Sequence, residues 1–419
     1  MRIAMMTNNY KPFIGGVPIS IERLAEGLKS LGHEVFIFAP TYGNDESEEG
    51  VIRYKSFKRK LGQGGMVIPN MFDTNIERKF KKLNIDMIHV HHPMIIGNTA
   101  LYLGKKYDVP VAFTYHTRYE QYLHYIKPYE YLESKSKNTK NNDIREIELK
   151  ILESTKEKIV PSYIKGFANK CDIVFSPTES MKEYLRGIGV SSRIQIMPTG
   201  LKDKYFTKNN ISGRDIREKY KRDKKYLFCT VSRLTKEKNM EFLIEGLRKI
   251  KDSIGDCFNC IIIGDGPLKE TLKKKARDLN LQENITFLSS IRNEAISDYY
   301  RACDLFLFAS KSETQGIVLL EAMAAENPVV AVKGTGVLDV VYNGINGYAT
   351  EENLEEWSYK AISILKDENL REKLKKGAYD TALNYKSSNI ARIAEHNYKN
   401  LIRSYYNKEC LYGDKVHVG

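Results

Sequence analysis

Two glutamates lie on either side of a glycine where an apolar run gives way to a predicted helix. Glu313 precedes Gly316, and Glu321 follows eight positions after Glu313. The run Leu305–Ala309 predicts a strand, so Gly316 stands at a strand-to-helix turn, where the backbone can approach a ligand and free N–H groups favour a phosphate. Glu321 could accept two hydrogen bonds from a ribose diol, and Glu313 could face a sugar on the same ligand. An ordinary helix whose acidic first turn is stabilised by the helix dipole is the alternative.

Two cations follow the first predicted strand of the second half of the chain. Arg233 and Lys238 lie in the segment Ser232–Asn239, directly after the apolar run Tyr226–Val231. In open α/β sheets, ligands bind at the carboxyl ends of the strands, and two fixed cations there suit a diphosphate. A basic turn that faces water is the alternative. The segment Gly264–Pro267 ends the next apolar run and, by itself, predicts only a βα turn.

The first half of the chain offers weaker signals. Gly16 follows the first predicted strand and precedes a helix, and His116 closes the run Val111–His116. A single histidine at the end of a strand more often has a structural role, so the residue type alone assigns no chemistry to it. Cys257 and Cys260 have the spacing of a redox or zinc pair, but no second Cys/His pair accompanies them, and they lead into an apolar strand.

The elements that would position these residues alternate along the whole chain. Short apolar runs between amphipathic stretches predict parallel strands covered on both faces by helices. At 419 residues, with 42% hydrophobic and 28% charged residues, the chain predicts a soluble protein of two doubly wound α/β domains. We expect a first domain over residues 1–200 with a charged helical insertion at about 127–160, a second over 201–385, and a C-terminal helix and tail over 386–419 that returns to the first domain. The polar stretch Pro198–Asp223 is expected to link the two domains.

Several functional classes are disfavoured by what the sequence lacks. After Gly334-Thr335-Gly336, Asp339 stands where a dinucleotide-binding fingerprint needs its third glycine. No apolar run is long enough to span a bilayer, and Met1–Met6 leads straight into a strand rather than a signal peptide, so we expect a cytoplasmic protein. The net charge of +13 indicates an anionic partner, but no nucleic-acid-binding motif is present.

The whole segment Ser310–Ala324 resembles the E-x7-E motif of retaining glycosyltransferases of the GT-B fold, in particular family four. The resemblance runs from Met1 to about Tyr406, with the motifs in the order of the family. It implies an α/β protein of two Rossmann-like domains facing each other across a cleft, with a C-terminal helix packed on the body. It also implies transfer with retention of the anomeric configuration. The D-x-D triplet of metal-dependent glycosyltransferases is absent, so a metal-independent enzyme is expected.

The resemblance implies a role for single residues. Arg233 and Lys238 match the pair that binds the donor diphosphate, and His116 matches a histidine that points toward the donor sugar. The catalytic residues implied are His116 and Glu313. The donor-binding residues implied are Gly16, Arg233, Lys238, Gly264, Gln315, Gly316, Ile317, Val318 and Glu321. No metal ligand and no cofactor are implied beyond the nucleotide sugar itself, for which UDP-glucose is expected and UDP-galactose, UDP-N-acetylglucosamine and GDP-mannose remain alternatives.

A finer resemblance connects the chain to bacterial diacylglycerol glucosyltransferases. It rests on the stretch His116–Tyr125 ahead of the charged insertion. The acceptor-binding residues that it implies are Tyr119, Glu120, Tyr122 and His124. The expected reaction moves a hexose from a nucleotide sugar to a lipid acceptor of the diacylglycerol type. The alternatives are the same transfer to a soluble small molecule or glycan, another reaction of sugar nucleotides on this fold, and a non-enzymatic module that binds phosphorylated ligands.

Basic residues mixed with bulky apolar ones occur twice in the first half of the chain. One cluster is Lys55–Leu61, around Phe57, and the other is Arg78–Leu83, around Phe80. Such a mixture suits an anionic bilayer surface. A helix face exposed to water is the alternative. We therefore expect a lipid acceptor to be met at the inner face of the cell membrane, with the protein bound there peripherally.

Overall fold

The computed structural model describes residues 1–13, 15–43, 47–61, 66–121, 123, 127–139, 142–207, 211–292 and 295–413. The chain divides into two compact units. The first contains Met1–Gly200 and the chain from Ser388 onward, and the second is Leu201–Ser387. Each unit has its own parallel sheet with helices on both faces, so the prediction of two Rossmann-like domains is confirmed.

A seven-stranded parallel sheet forms the centre of the first unit. From edge to edge its strands are β3 (Val51–Tyr54), β2 (Glu34–Pro40), β1 (Arg2–Met6), β6 (Met87–Val90), β7 (Val111–Thr114), β8 (Ile173–Ser176) and β9 (Ile194–Ile196). A separate antiparallel pair consists of β4 (Ser56–Leu61) and β5 (Met66–Pro69). The helices are α1 (Gly16–Ser30), α2 (Thr74–Lys82), α3 (Ile96–Tyr107), α4 (Lys127–Asn138), α5 (Asn142–Ser154), α6 (Val160–Ala168), α7 (Glu179–Gly187) and α15 (Ser387–Gly413).

The two faces of this sheet are covered differently. On one face, α3 and α6 pack their apolar sides on β6 and β7. On the other, α1 and α15 cover the sheet, and the buried residues Ile390, Ala394, Tyr398 and Leu401 of α15 recur at helical spacing. Because both faces are covered, β6, β7 and β8 are buried along their whole length and are almost entirely apolar.

The second unit has a six-stranded parallel sheet. Its strands in order are β12 (Ile285–Leu288), β11 (Phe258–Ile263), β10 (Tyr226–Val231), β13 (Leu305–Phe308), β14 (Val329–Val332) and β15 (Gly347–Thr350). The helices are α8 (Ile211–Lys221), α9 (Met240–Ile254), α10 (Lys269–Asp278), α11 (Ile296–Ala302), α12 (Ile317–Ala324), α13 (Leu354–Lys366) and α14 (Glu368–Leu383). Apolar clusters on both faces of the sheet form its core.

The stretch 198–223 is not the linker that the sequence predicted. Most of it belongs to the second unit, where Leu201 and Tyr205 are buried in the core and α8 packs against α11. Gly213 lies at this contact, since a Cβ added there would stand 3.3 Å from Cβ of Arg301. The glycine therefore permits close packing of two helices.

The order of the strands reverses once in each sheet. The chain builds outward from β1 to β3 on one side and from β6 to β9 on the other, and likewise from β10 to β12 and from β13 to β15. At such a reversal the connections leave in opposite directions, so a crevice opens at the carboxyl ends of the two central strands. None of the described helices is long and apolar enough to cross a membrane.

Candidate active site

The segments that follow β10 and β13 meet at the reversal point of the second sheet. These strands are neighbours in the sheet, and both run in the same direction. The segment after β10 carries Arg233 and Lys238, and the segment after β13 carries Glu313. The fold thus brings two motifs that are 75 residues apart to one crevice.

Lys238 and Glu313 are in direct contact. The Lys238 Nζ lies 2.6 Å from Oε1 of Glu313, and the two side chains are only 10% and 17% exposed. Lys238 ends a short 3₁₀ turn, and Asn239 then adopts a left-handed conformation with φ 53° before α9 begins. A charge-assisted bond with this little access to water orients both side chains strongly.

Arg233 is held more loosely on the same segment. Its side chain is 52% exposed, and one guanidinium nitrogen lies 3.5 Å from Oε1 of Glu237. Burial acts to raise the pKa of Glu237, but the Thr235 hydroxyl, the Glu237 amide and the charges of Arg233 and Lys238 together lower it below the ordinary value. Glu237 and Thr235 were not predicted as site residues, although Glu237 stands four residues after Arg233.

Gly264 and Gly266 shape this segment by close packing. Gly264 has φ +145°, and a Cβ added to it would lie 1.9 Å from the carbonyl oxygen of Ser232. A Cβ on Gly266 would lie 2.3 Å from the carbonyl oxygen of Leu234, whose own N–H donates to the Asp265 carbonyl at 2.9 Å. The turn that looked ordinary in sequence therefore supports the backbone on both sides of Arg233. A donor contact of Gly264 stays a prediction.

The segment after β13 leads into α12 without a side-chain cap. Gly316 is the N-cap residue with φ +72°, and the first turn of α12 carries no acidic side chain. Gly316 itself offers no side chain to cap the first turn, and the alternative of an ordinary acidic first turn is wrong. Gln315 is buried, and the backbone of Glu313–Gln315 is backed by Gly336, where a Cβ would come within 2.9 Å of the Gln315 nitrogen.

Glu321 lies further inside α12 and is 6% exposed. Its Oε2 accepts a hydrogen bond from the Tyr300 hydroxyl at 3.1 Å. Burial, and then the charge of Glu321, raises the pKa of Tyr300 well above its ordinary value, so this hydroxyl remains a donor. No pattern in the sequence indicated this partner, which lies on α11.

In the first unit, His116 belongs to a cluster of histidines near the carboxyl ends of β6 and β7. It follows β7, next to the end of β6, which leads into His91 and His92. The His91 Nδ1 lies 2.8 Å from Nε2 of His116. Burial lowers the pKa of both rings well below the ordinary value, and neighbouring imidazoles lower it further. It also lowers the pKa of His89 and of His92 to about 3, so the cluster is uncharged at neutral pH.

The other predicted residues of the first unit lie in different settings. Gly16 opens α1, and a Cβ added there would meet no described atom within 4 Å. Glu120 is 6% exposed and accepts from Nε of Arg118 at 2.6 Å. Tyr119 stands in the same 3₁₀ turn, and burial raises the pKa of its hydroxyl. The remaining two predicted acceptor residues, Tyr122 and His124, lie outside the described residues.

In the second basic cluster the basic side chains are exposed, but the phenylalanine among them is buried. Arg78 and Lys79 on α2 are exposed, as are the two lysines that follow, but Phe80 is 2% exposed and belongs to the core. Phe72, just before the helix, is 80% exposed. Phe80 is therefore not available to a membrane, because the apolar face of the amphipathic helix points inward. In the first cluster the side chains of residues 58–61 lie outside the description, and Phe57 is half exposed.

Comparison with solved structures identifies the fold. The structure of Anabaena HepE in complex with UDP superimposes with a TM-score of 0.70 at 16% identity, covering 96% of this chain and 100% of that one. The fold is that of the GT-B glycosyltransferases, as the sequence predicted.

The sequence comparisons then give the family. Residues 14–204 match the family described as Glycosyltransferase Family 4, and residues 212–381 match Glycosyl transferases group 1. The chain belongs to the glycosyltransferases that combine these two domains, which confirms the resemblance seen in the sequence.

Two curated relatives span most of the chain. An alpha-monoglucosyldiacylglycerol synthase of Acholeplasma laidlawii is 29% identical over 411 residues, which are 96% of this chain and 98% of the relative. The enzyme of the same name from Streptococcus pneumoniae is 28% identical over 348 residues, which are 79% of this chain and 71% of the relative.

Proposed function

We propose that the protein transfers glucose from UDP-glucose to a lipid of the diacylglycerol type, without a metal ion and with retention of the anomeric configuration. The observation that carries the donor half of this proposal is the meeting of Lys238 with Glu313, beside Arg233, at the reversal point of the second sheet. The names of the two relatives support the acceptor half.

The donor diphosphate is bound by Arg233, Lys238 and the amides of Gly316, Ile317 and Val318 at the start of α12. Fixed cations and a helix N-terminus stabilise the leaving group as the glycosidic bond breaks, which is the electrostatic term that usually dominates catalysis. Glu321 accepts hydrogen bonds from the ribose hydroxyls. The Tyr300 hydroxyl also donates to this carboxylate and holds it in place. Gly16, Gly264 and Gln315 complete the predicted donor set. A structural neighbour holds UDP-glucose, which supports the choice of donor.

Glu313 and His116 act on the sugar. When the donor is bound, its phosphates contact Lys238 as well, and Glu313 then binds the hydroxyls of the donor sugar. His116 is uncharged, so it binds the sugar through hydrogen bonds and does not serve as a protonated acid. No protein nucleophile is needed in this scheme, because the departing phosphate takes the proton of the acceptor hydroxyl on the same face.

The acceptor is bound by the segment that follows His116. Tyr119, Tyr122 and His124 are the proposed contacts. Glu120, which is paired with Arg118, is proposed to orient the guanidinium, whose carbon lies 4.3 Å from the centre of the Tyr184 ring. The exposed bases of α2 and the exposed Phe72 support peripheral binding to an anionic membrane face.

The test is a transfer screen of nucleotide sugars against acceptors. We expect glucose to pass from UDP-glucose to diacylglycerol in anionic vesicles, with the α-anomer shown by NMR of the product and with activity retained in excess EDTA. Transfer only to soluble alcohols or glycans would disprove the lipid acceptor. A β-linked product would disprove retention, and loss of activity in EDTA would disprove metal independence.

A further inference from the structure

A second histidine contacts the predicted catalytic histidine of the first unit. His91 is 1% exposed, its Nδ1 lies 2.8 Å from Nε2 of His116, and the two rings are stacked with their planes 21° apart. We propose that His91 is a positioning residue that holds His116 in one orientation and in one tautomer, with the His116 proton on Nδ1. The catalytic meaning of this arrangement rests on the function proposed above.

The ring of His91 is itself held in place from behind. The His89 ring centre lies 4.2 Å from that of His91. Both nitrogens of His89 are bound, Nε2 to the Thr114 hydroxyl and Nδ1 to the Tyr398 hydroxyl, each at 2.6 Å. His89 therefore cannot turn without losing a buried hydrogen bond. Two strands and the last helix thus combine to fix the ring on which His91 rests.

The hydrogen-bonding pattern assigns the tautomers. Both rings are neutral because burial lowers the pKa of each, and a neutral imidazole has one donor and one acceptor. Within the described part of the chain, Nε2 of His91 is buried and has no hydrogen-bond partner. A buried N–H without an acceptor is rarer than an acceptor without a donor, so the proton of His91 belongs on Nδ1, where it donates to Nε2 of His116.

This assignment decides what His116 can do. Its Nε2 is occupied as an acceptor, so the ring cannot remove a proton through that atom. Its own proton lies on Nδ1, so Nδ1 is the hydrogen-bond donor of the ring. Misplacing such a donor by about 1 Å can lower a rate about a hundredfold, so the bond from His91 matters even though His91 need not touch the substrate.

The experiment compares three full-length variants by kinetics and by ¹⁵N NMR of labelled histidine rings. His91→Phe keeps a stacked ring without the hydrogen bond, and His91→Asn restores an amide N–H near the position of Nδ1. The control His92→Phe removes a similarly buried imidazole that is bonded to Thr7 and Asn8 instead. We expect kcat to fall roughly 10- to 100-fold in His91→Phe with little change in the donor KM, and to recover largely in His91→Asn.

The NMR spectra separate this inference from the proposed function. We expect the wild-type spectrum to show His116 protonated on Nδ1, His91→Phe to lose that single tautomer, and both His91→Asn and His92→Phe to keep it. A wild-type His116 protonated on Nε2, or a tautomer unchanged in His91→Phe, would overturn the inference. So would an equal loss of the tautomer in His92→Phe. If wild-type protein transferred no sugar, the proposed function would fail, while the ring spectra would still decide the role of His91.

Discussion

The two predicted diphosphate-binding residues, Arg233 and Lys238, differ in how far they are shielded from water. Lys238 contacts Glu313 in an ion pair that is largely shielded from water, so removing either partner takes a charge-assisted bond away from a nearly buried group. A variant at Lys238 or Glu313 therefore reports on stability as well as on donor binding. Arg233 is half exposed, and its contact to Glu237 is long, so its replacement disturbs the fold less. Arg233 is the cleaner probe of the diphosphate.

Arg233→Ala is expected to lower kcat/KM for the nucleotide sugar by roughly 100-fold, because one fixed charge is lost from the departing diphosphate. Steady-state transfer kinetics measure the effect. Lys236→Ala on the same segment is the control, since Lys236 is also exposed and is not part of the proposed site. Comparable activity of Arg233→Ala and wild type would show that the diphosphate is bound elsewhere.

The buried histidines predict a pH dependence of stability. In the folded chain the pKa of His92 is about 3, whereas an unfolded histidine titrates near pH 6.5. Between these values the unfolded chain takes up a proton that the folded chain refuses, so the free energy of unfolding falls as the pH drops below about 6.5. His92 alone contributes about 1.4 kcal/mol per pH unit to this fall.

His92→Asn removes this titration and keeps an acceptor near Nδ1 for the Asn8 amide. Urea unfolding at pH 7.5 and at pH 5.5 should show a smaller loss of stability in the variant, by about 1.4 kcal/mol. An identical loss in both proteins would mean that His92 is protonated in the folded state.

At the scale of elements, the site depends on backbone packing between neighbouring turns. The turn after β11 supports the segment after β10, and Gly336, after β14, supports the segment after β13. The segments after four neighbouring strands, β11, β10, β13 and β14, thus contribute to one crevice. The charged side chains lie on the segments after the two central strands, β10 and β13. This is why the glycines of these turns matter without any contact to a ligand.

Gly264→Ala is expected to lower the free energy of unfolding by about 2 kcal/mol or more and to reduce transfer, because the new methyl would displace the Ser232 carbonyl next to Arg233. Gly255→Ala is the matched control. Gly255 also has a positive φ, of 73°, but no described atom lies within 4 Å of an added Cβ. Equal effects of the two variants on transfer would show that the packing of the turn does not position Arg233.

The whole molecule carries an excess of 13 positive charges, and α2 contributes several of them on an exposed face. Each basic residue near an anionic bilayer contributes about 1 kcal/mol of attraction, and the attraction falls off within a Debye length. The apolar residues of α2 point into the core, so the helix offers charge rather than an inserting face. Phe72 is the apolar group at its edge.

Reversing two charges on α2, Arg78→Glu with Lys79→Glu, is expected to weaken binding to anionic vesicles by roughly tenfold or more. Sedimentation with vesicles of known anionic content measures it. The control reverses Arg214 and Lys219, two exposed bases on α8 of the second unit, and thus matches the change in net charge. An equal loss in the control would attribute binding to total charge rather than to α2.

Much of the fold could be predicted because the central strands of both sheets, such as β7, β10 and β11, are apolar runs of strand length between amphipathic helices. Short strands such as β3 and β15 were missed, since four residues with one or two polar members carry too little pattern. The motif around Glu313 was readable because its spacing is local. Its contact with Lys238 and that of Tyr300 with Glu321 depend on which strands become neighbours, and no local pattern specifies that. The histidines at 89 and 91 fall within the run Asp86–His91, which predicts a strand, and only the register of β6 on β7 brings His91 to His116.

The backbone passes between the two units twice, once at Gly200 and again at Ser387. A ribosome therefore releases all of the second unit before it releases the helix whose Tyr398 and Leu401 complete the core of the first. Until that helix packs, Ile3, Met5 and Leu28 lack some of the side chains that bury them in the folded protein. A nascent chain in that state exposes an apolar surface to which chaperones can bind. The part of the protein that is synthesised first is thus the part that finishes folding last.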